Sequence, residues 1–236
     1  MSPSPRATTS RVKGLPPGQV EIPDFPSWGP PEHALRKLKV PSRPVLELGG
    51  DVRTPCEVGL EALVVLRRHE QVSDFHCVAT WSRRGLRWSG YRFRDFFDDV
   101  FVPLAQPEEG ARYLVLRGLD GYWTSVPLED ALADDVMLAD YLDGEPLSLE
   151  HGAPLRLVAP AHYGYKNAKH LCRLELRRDK LPGRGAEHPR GRVVKEERGQ
   201  GKPGREFRVM YSVALESMLH YFRNLRRPGS SGGRGE

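Results

Sequence analysis

The chain has 236 residues, 39% hydrophobic and 28% charged, with a formal net charge of +5. That length and mix suit one soluble globular domain with exposed extensions, and no apolar run is long enough to cross a bilayer as a helix. Three cysteines, Cys56, Cys77 and Cys172, show no C-x-x-C spacing, which argues against a disulfide framework, a zinc knuckle or a haem-attachment motif.

Residues 1–31, rich in Pro, Ser, Gly and Thr, are expected to form an extended or disordered arm whose end Phe25 and Trp28 can anchor to the core. The N-terminus carries basic residues and prolines but no apolar leader region, so the expected compartment is the cytoplasm. The core is expected at 32–182, with its regular elements between about Val45 and Arg178. In "TPCEVGLEALVVLRR", Thr54, Pro55 and Glu57 stand where a capping box would place them, which predicts a helix to about Arg68. "QVSDFHCVATW" reads as a buried strand running into a loop, and "SGYRFRDFFDDVF" as a short helix.

"ARYLVLRGL" alternates like a strand, and "SVPLEDALA" starts a helix with Pro127 near its first position. "DVMLADYLDGEPL" carries the Asp143-Gly144 turn signal; "PLRLVAP" and "KHLCRLELRR" read as further strands. Interleaved strands, helices and hairpins predict an α+β domain with a mixed sheet. Residues 183–206 read as a basic flexible insertion, 207–226 as a helix with one apolar face docked on the core, and 227–236 as a disordered tail. The basic excess sits largely in that insertion, so a solvated loop is favoured over a nucleic-acid surface.

Cys77 closes a strand-like run, with His76 before it and aromatics on both sides. On position alone it is either a packed thiol or a fixed ligand for a soft metal. Arg156, in an apolar strand, needs a partner if buried, and an anionic ligand is one such partner. Lys166 and Lys169, one helical turn apart, can share a site. The acidic pairs Asp98/Asp99 and Asp134/Asp135 read as solvated surface.

Several ordered segments carry a joint resemblance over roughly residues 45–177: "HCVATWS", "LRWSGYRFRDFF" and "LRGLDGYWTSVPLEDALADDVMLADYLDGEPLSLEHGAPLRLVAPAHYGYKNAKHLCRLEL". Together they resemble the molybdopterin-binding oxidoreductases of the sulfite oxidase type, which include bacterial sulfite dehydrogenases and the catalytic subunit of the methionine sulfoxide reductase system. The resemblance implies a sulfite oxidase-like domain binding molybdenum–molybdopterin, with Cys77 as the protein thiolate on the metal. It implies Tyr122 facing the metal. It also implies a cofactor-binding set of His76, Cys77, His151, Gly152, Arg156, Tyr165, Lys166 and Lys169.

The implied activity is oxygen-atom transfer on a small sulfur or nitrogen oxo compound, with electrons exchanged with a separate one-electron carrier. The alternative is a cofactor-free relative acting as a protein or nucleic-acid binding module. Two departures stand out. Animal sulfite oxidases carry an arginine five positions after the ligand cysteine, where this chain has Ser82, and the tryptophan usual after the second lysine is His170 here.

Overall fold

A computed structural model describes residues 8–9, 14–16, 19–26, 38–78 and 81–181. The predicted insertion, the C-terminal helix, the tail and the Trp28 anchor lie outside these residues. Among the described residues, two mixed sheets and a few short helices form the fold, as the α+β reading anticipated.

The first sheet contains β1 (Thr8–Thr9), β2 (Val20–Glu21), β5 (Arg68–His76), β6 (Trp81–Arg92), β9 (Met137–Leu142), β10 (Glu145–Pro146) and β11 (Arg156–Val158). The antiparallel pair β5–β6 forms its spine, and β9 follows on the other side of β6. The β9–β10 hairpin turns at Asp143-Gly144, where both residues take positive φ, the geometry that Asp-Gly supplies at low cost. The second sheet runs β4 (Cys56–Gly59), β3 (Val45–Gly50), β12 (Leu171–Arg177), β7 (Tyr113–Gly118) and β8 (Trp123–Pro127). β12 is parallel to β3 and antiparallel to β7.

The largest buried cluster takes Leu46, Leu48, Leu114, Leu116, Leu174 and Leu176 from the second sheet, and Tyr91, Leu138 and Leu157 from the first. Phe93, Phe96 and Phe101 join it from a helical segment made of α1 (Phe93–Phe96), a π turn (Phe97–Phe101) and α2 (Val102–Ala105). A shorter helix, α3 (Leu128–Ala131), follows β8 with Pro127 at its N-cap. A second cluster gathers Leu86, Trp88, Met137, Ala139 and Val158, with Phe25 and Phe75 packed against it.

Three expectations are corrected. The helix expected from Thr54 to Arg68 is instead β4, paired antiparallel with β3 from Leu48↔Cys56 to Val45↔Gly59, followed by a 3₁₀ turn, Leu60–Val65. Val58, Val64 and Val65 are poor helix formers, and a helix would have to bury Val64 and Val65, which stand 76% and 78% exposed. The short helix expected at "SGYRFRDFFDDVF" begins only at Phe93, because residues 89–92 end the long strand β6. In β6, buried Leu86 and Trp88 flank exposed Arg87, the alternation of a half-buried strand.

The arm over 1–31 is not loose at its described residues. Thr8–Thr9 pairs with Gln71–Val72, Val20–Glu21 pairs with Trp81–Ser82, and Phe25 packs into an aromatic cluster, its expected anchoring role. The prolines of this stretch leave room for short pairing runs, which are stabilised by Ile22 and Phe25 packing on the core.

Candidate functional site

Cys77 directly follows β5 and is 6% exposed. Its backbone N–H donates to the Trp81 carbonyl at 2.8 Å, which closes the corner between β5 and β6. Its own carbonyl accepts from the Gln19 amide at 3.1 Å. Gln19 Oε1 in turn accepts from the Ser82 hydroxyl at 3.0 Å, and Ser82 Oγ lies 2.7 Å from His76 Nδ1. Burial pushes His76 down to about 4, so its ring is neutral near pH 7. Ser82, at the position where the animal enzymes carry an arginine, is fully buried under the corner and is held by these bonds.

A second group surrounds Arg156, which β11 places 2% exposed. Its guanidinium lies over the rings of Trp88, Phe75 and Phe25, with centroids at 4.9, 5.6 and 5.9 Å. It donates to the carbonyls of His151 at 2.8 Å, Asn167 at 3.4 Å and Leu157 at 3.4 Å. Those bonds use three of the five guanidinium N–H groups, and no carboxylate among the described residues pairs with the charge. Burial accordingly pushes Arg156 down to about 9.

Lys169 is pushed down to about 8, first by burial and then by the charge of Arg156. Gly152 sits between the two cations at φ +111. A Cβ there would stand 3.1 Å from both Arg156 Cβ and Lys169 Cβ, so only glycine lets these side chains converge without strain. His151 stacks on Phe25 at 5.0 Å; its Nε2 lies 2.9 Å from the Phe25 carbonyl and its Nδ1 3.0 Å from the Ser148 hydroxyl.

The third group joins the loop between β11 and β12 to the turn between β7 and β8. Tyr122 donates its hydroxyl to the Tyr165 carbonyl at 2.6 Å, and burial pushes the phenol well above its ordinary range. Lys166 donates to the Ser125 carbonyl at 2.7 Å and lies over the Tyr165 ring at 5.1 Å. Gly164, just before these residues, abuts the Phe75 ring, so Phe75 touches both this loop and Arg156. Phe75, two residues before Cys77, thus links the Arg156 group to the β11–β12 loop. The Tyr122 hydroxyl, the Lys166 ammonium and the His151 ring each hold a main-chain carbonyl and so fasten the loops around them.

Two contributors were not singled out from the sequence. Asn167 accepts from the Ala159 N–H at 2.6 Å and donates to the carbonyls of Tyr163 and His162, tying the 159–167 loop into one shape. An Asn in an irregular stretch between two lysines is a signal for such side-chain-to-backbone bonding. Gln19, 58 residues before Cys77, left no signal. Asp120 and Ser125 serve the frame: Asp120 accepts from the Tyr122 N–H, and the Ser125 hydroxyl donates to the Leu181 carbonyl. Cys56 lies in β4 and not at a helix start, and Cys172 points its thiol at the Arg117 carbonyl.

A single buried thiol and a converged pair of cations, one of them without a carboxylate, suit a ligand that brings its own metal ligands and an anionic group. Comparison with known proteins agrees with that chemistry. The family model described as "Oxidoreductase molybdopterin binding domain" matches residues 37–184. The chain is 37% identical over 149 residues to "Uncharacterized oxidoreductase YuiH" of Bacillus subtilis, covering 62% of this chain and 73% of that protein.

It is 28% identical over 159 residues to the "Protein-methionine-sulfoxide reductase catalytic subunit MsrP" of Xanthomonas axonopodis pv. citri, covering 62% of this chain and 48% of that protein. Mitochondrial sulfite oxidase of Drosophila melanogaster is 36% identical over 96 residues, 37% of this chain and 16% of that protein. This chain thus spans most of the Bacillus protein but less than half of the other two. Among solved structures, the sulfane dehydrogenase SoxCD of Paracoccus pantotrophus shares the fold, with TM-score 0.53 and 24% identity over 60% of this chain and 40% of that one.

Proposed function

The chain belongs to the oxidoreductase molybdopterin-binding domain family, and on that premise we propose that it binds molybdenum–molybdopterin through Cys77 and transfers an oxygen atom to or from a small sulfur or nitrogen oxo compound. The observation that carries this reading is Arg156, a buried cation without a carboxylate, converged with Lys169 around Gly152. A buried unpaired charge is costly, and an anionic group on the ligand, such as the pterin phosphate, offsets that cost.

Cys77 supports the same reading. Among the described residues no group of three His, Cys, Asp or Glu side chains can hold a metal ion unaided, so a metal held at this thiol would take its other ligands from a cofactor. When bound, the cofactor supplies the two-electron oxygen-atom chemistry. The protein's share is to hold the thiol at a fixed corner, neutralise the anionic end with Arg156 and Lys169, and wall the site with Phe75, Trp88 and Phe25. The Tyr122 proton is committed to the Tyr165 carbonyl. Electrons then pass to or from a separate carrier, and the cytoplasm is the compartment proposed.

The test is metal analysis of protein made in a host that synthesises the pterin cofactor, with Cys77→Ser alongside. Near-stoichiometric molybdenum in the wild type, with turnover of a sulfoxide, sulfite or N-oxide abolished in Cys77→Ser, is expected. Folded wild type without molybdenum would overturn the reading in favour of a binding module.

A further inference from the structure

Gln19 reaches the site from outside the segment that the family model matches, residues 37–184. Its route is set by pairing: Val20 and Glu21 lie parallel to Trp81 and Ser82, the Ile22 N–H donates to the Ser82 carbonyl at 2.9 Å, and the Gln19 N–H donates to Pro16 at 3.1 Å. The side chain is thereby delivered, buried, beneath the Cys77 corner.

The donor and acceptor roles along this chain of bonds are forced. The Cys77 carbonyl only accepts, so the Gln19 group facing it is the NH₂ and the group facing Ser82 is the oxygen. An oxygen there needs the Ser82 proton. Ser82, its one proton committed, can only accept from His76, so His76 carries its proton on Nδ1 and presents a bare Nε2.

We propose that Gln19 is a positioning residue for the site: it fixes the Cys77 carbonyl directly and, through Ser82, sets the tautomer of His76. The proposal rests on the reading of Cys77 as a ligand. It gives the corner anchors on both sides, the Cys77 N–H held by β6 and the Cys77 carbonyl held by the N-terminal segment. A thiol on so short a turn is placed by its main chain, so fixing both peptide groups fixes where the sulfur points.

The test uses the full chain without cofactor, so that its outcome is separate from molybdenum loading. Two readouts are taken: the protonation site of His76 from histidine-selective ¹⁵N labelling, and the alkylation rate of Cys77 by iodoacetamide, with Cys56 and Cys172 as internal references. Wild type is expected to show the Nδ1–H form. In Gln19→Leu the freed Ser82 proton turns to Nδ1, the Nε2–H form becomes populated, and Cys77 reacts about fivefold faster, the factor that one buried hydrogen bond of ordinary net strength converts to.

Ser82→Ala separates the two effects: the tautomer is released while Cys77 alkylation stays at the wild-type rate. A segment that merely covers the core would leave the tautomer unmoved in Gln19→Leu. An Nε2–H wild type overturns the proposal, as does a folded Gln19→Leu with wild-type tautomer and rate; should Gln19→Leu not fold, an unmoved tautomer in Ser82→Ala overturns it alone. Tautomer and rate shifts as expected in a protein that takes up no molybdenum would sink the functional reading and leave the hold of Gln19 on the corner standing.

Discussion

Arg156→Met removes the guanidinium but keeps an unbranched apolar stem against Trp88 and Phe75. Burial takes Arg156 well below its ordinary value, to about 9. At about 1.36 kcal/mol for each pKa unit, the fold opposes the charge by about 5 kcal/mol. Against that relief, the His151 carbonyl, bonded at 2.8 Å, loses its donor, which costs about 1–3 kcal/mol, and the two longer bonds at 3.4 Å cost less each. The cofactor-free variant is therefore expected to fold with a stability within about 2 kcal/mol of wild type, far milder than removing one partner of a satisfied buried ion pair, which costs about 3–5 kcal/mol.

The loaded protein should behave differently. An anion on the guanidinium offsets the penalty of burying its charge, so loading should stabilise wild type by up to about 5 kcal/mol more than it stabilises the methionine variant. Urea unfolding of both proteins, with and without cofactor, measures the difference, and molybdenum content measures retention directly. Equal stabilisation by loading in the two proteins, at equal molybdenum content, would refute the assignment of Arg156 to an anionic ligand.

Further outcomes follow from the same geometry. Gly152→Ala places a methyl against Arg156 and Lys169 at a φ that alanine rarely adopts, so a loss of about 1–3 kcal/mol in thermal unfolding and a drop in molybdenum content are expected together. Lys169, held down at about 8 against an ordinary 10.5, binds fewer protons folded than unfolded between those values; the cofactor-free protein should gain stability as pH rises from about 8 to 10.5, and retention of an anionic ligand should weaken over the first part of that range, readable from urea midpoints and cofactor release.

Glu175, on β12, is 1% exposed; it accepts from Arg117 at 2.6 Å and Arg177 at 2.6 Å and forms an ion pair with Arg173 at 2.9 Å. Burial alone would raise its pKa, but these arginines outweigh burial and hold it lowered. Glu175→Gln should cost about 2 kcal/mol in unfolding free energy, with three half-exposed arginines left to water. In the wild type the carboxylate's contribution is present above the ordinary carboxylate pKa and is lost as pH falls through the lowered value.

The parts of the fold legible in the sequence are those where local chemistry and tertiary pairing agree. Asp143-Gly144 announces the β9–β10 turn because both residues tolerate the positive φ that it needs. The alternation at Leu114–Leu116 and Leu171–Leu176 survives because each strand has one core-facing side. Thr54, Pro55 and Glu57 misled because a capping box is only a local preference, and the open edge of β3 recruited the following residues into a ladder. β6 was not legible: residues 89–92 read as the start of a helix, and Arg83, Arg84 and Gly85 look like a loop, although antiparallel pairing with β5 carries them as strand.

At the site, Cys77, His76, Arg156 and Lys169 stood out by residue type in unusual company. Gln19 could not, because its role is created by a parallel pairing with a distant strand and by a bond to Cys77, 58 residues on, and by nothing in its neighbourhood.

The place of β12 between β3 and β7 has a consequence for synthesis on the ribosome. Val45–Gly50 and Tyr113–Gly118 leave the exit tunnel well before Leu171–Arg177, so both carry an unfilled ladder edge through much of translation. The sheet closes only when its middle strand arrives last, after the long loops that such distant pairing must order. The same delay holds back Lys169, which enters just ahead of that strand. Until that strand arrives, the two waiting edges are natural clients for a holding chaperone.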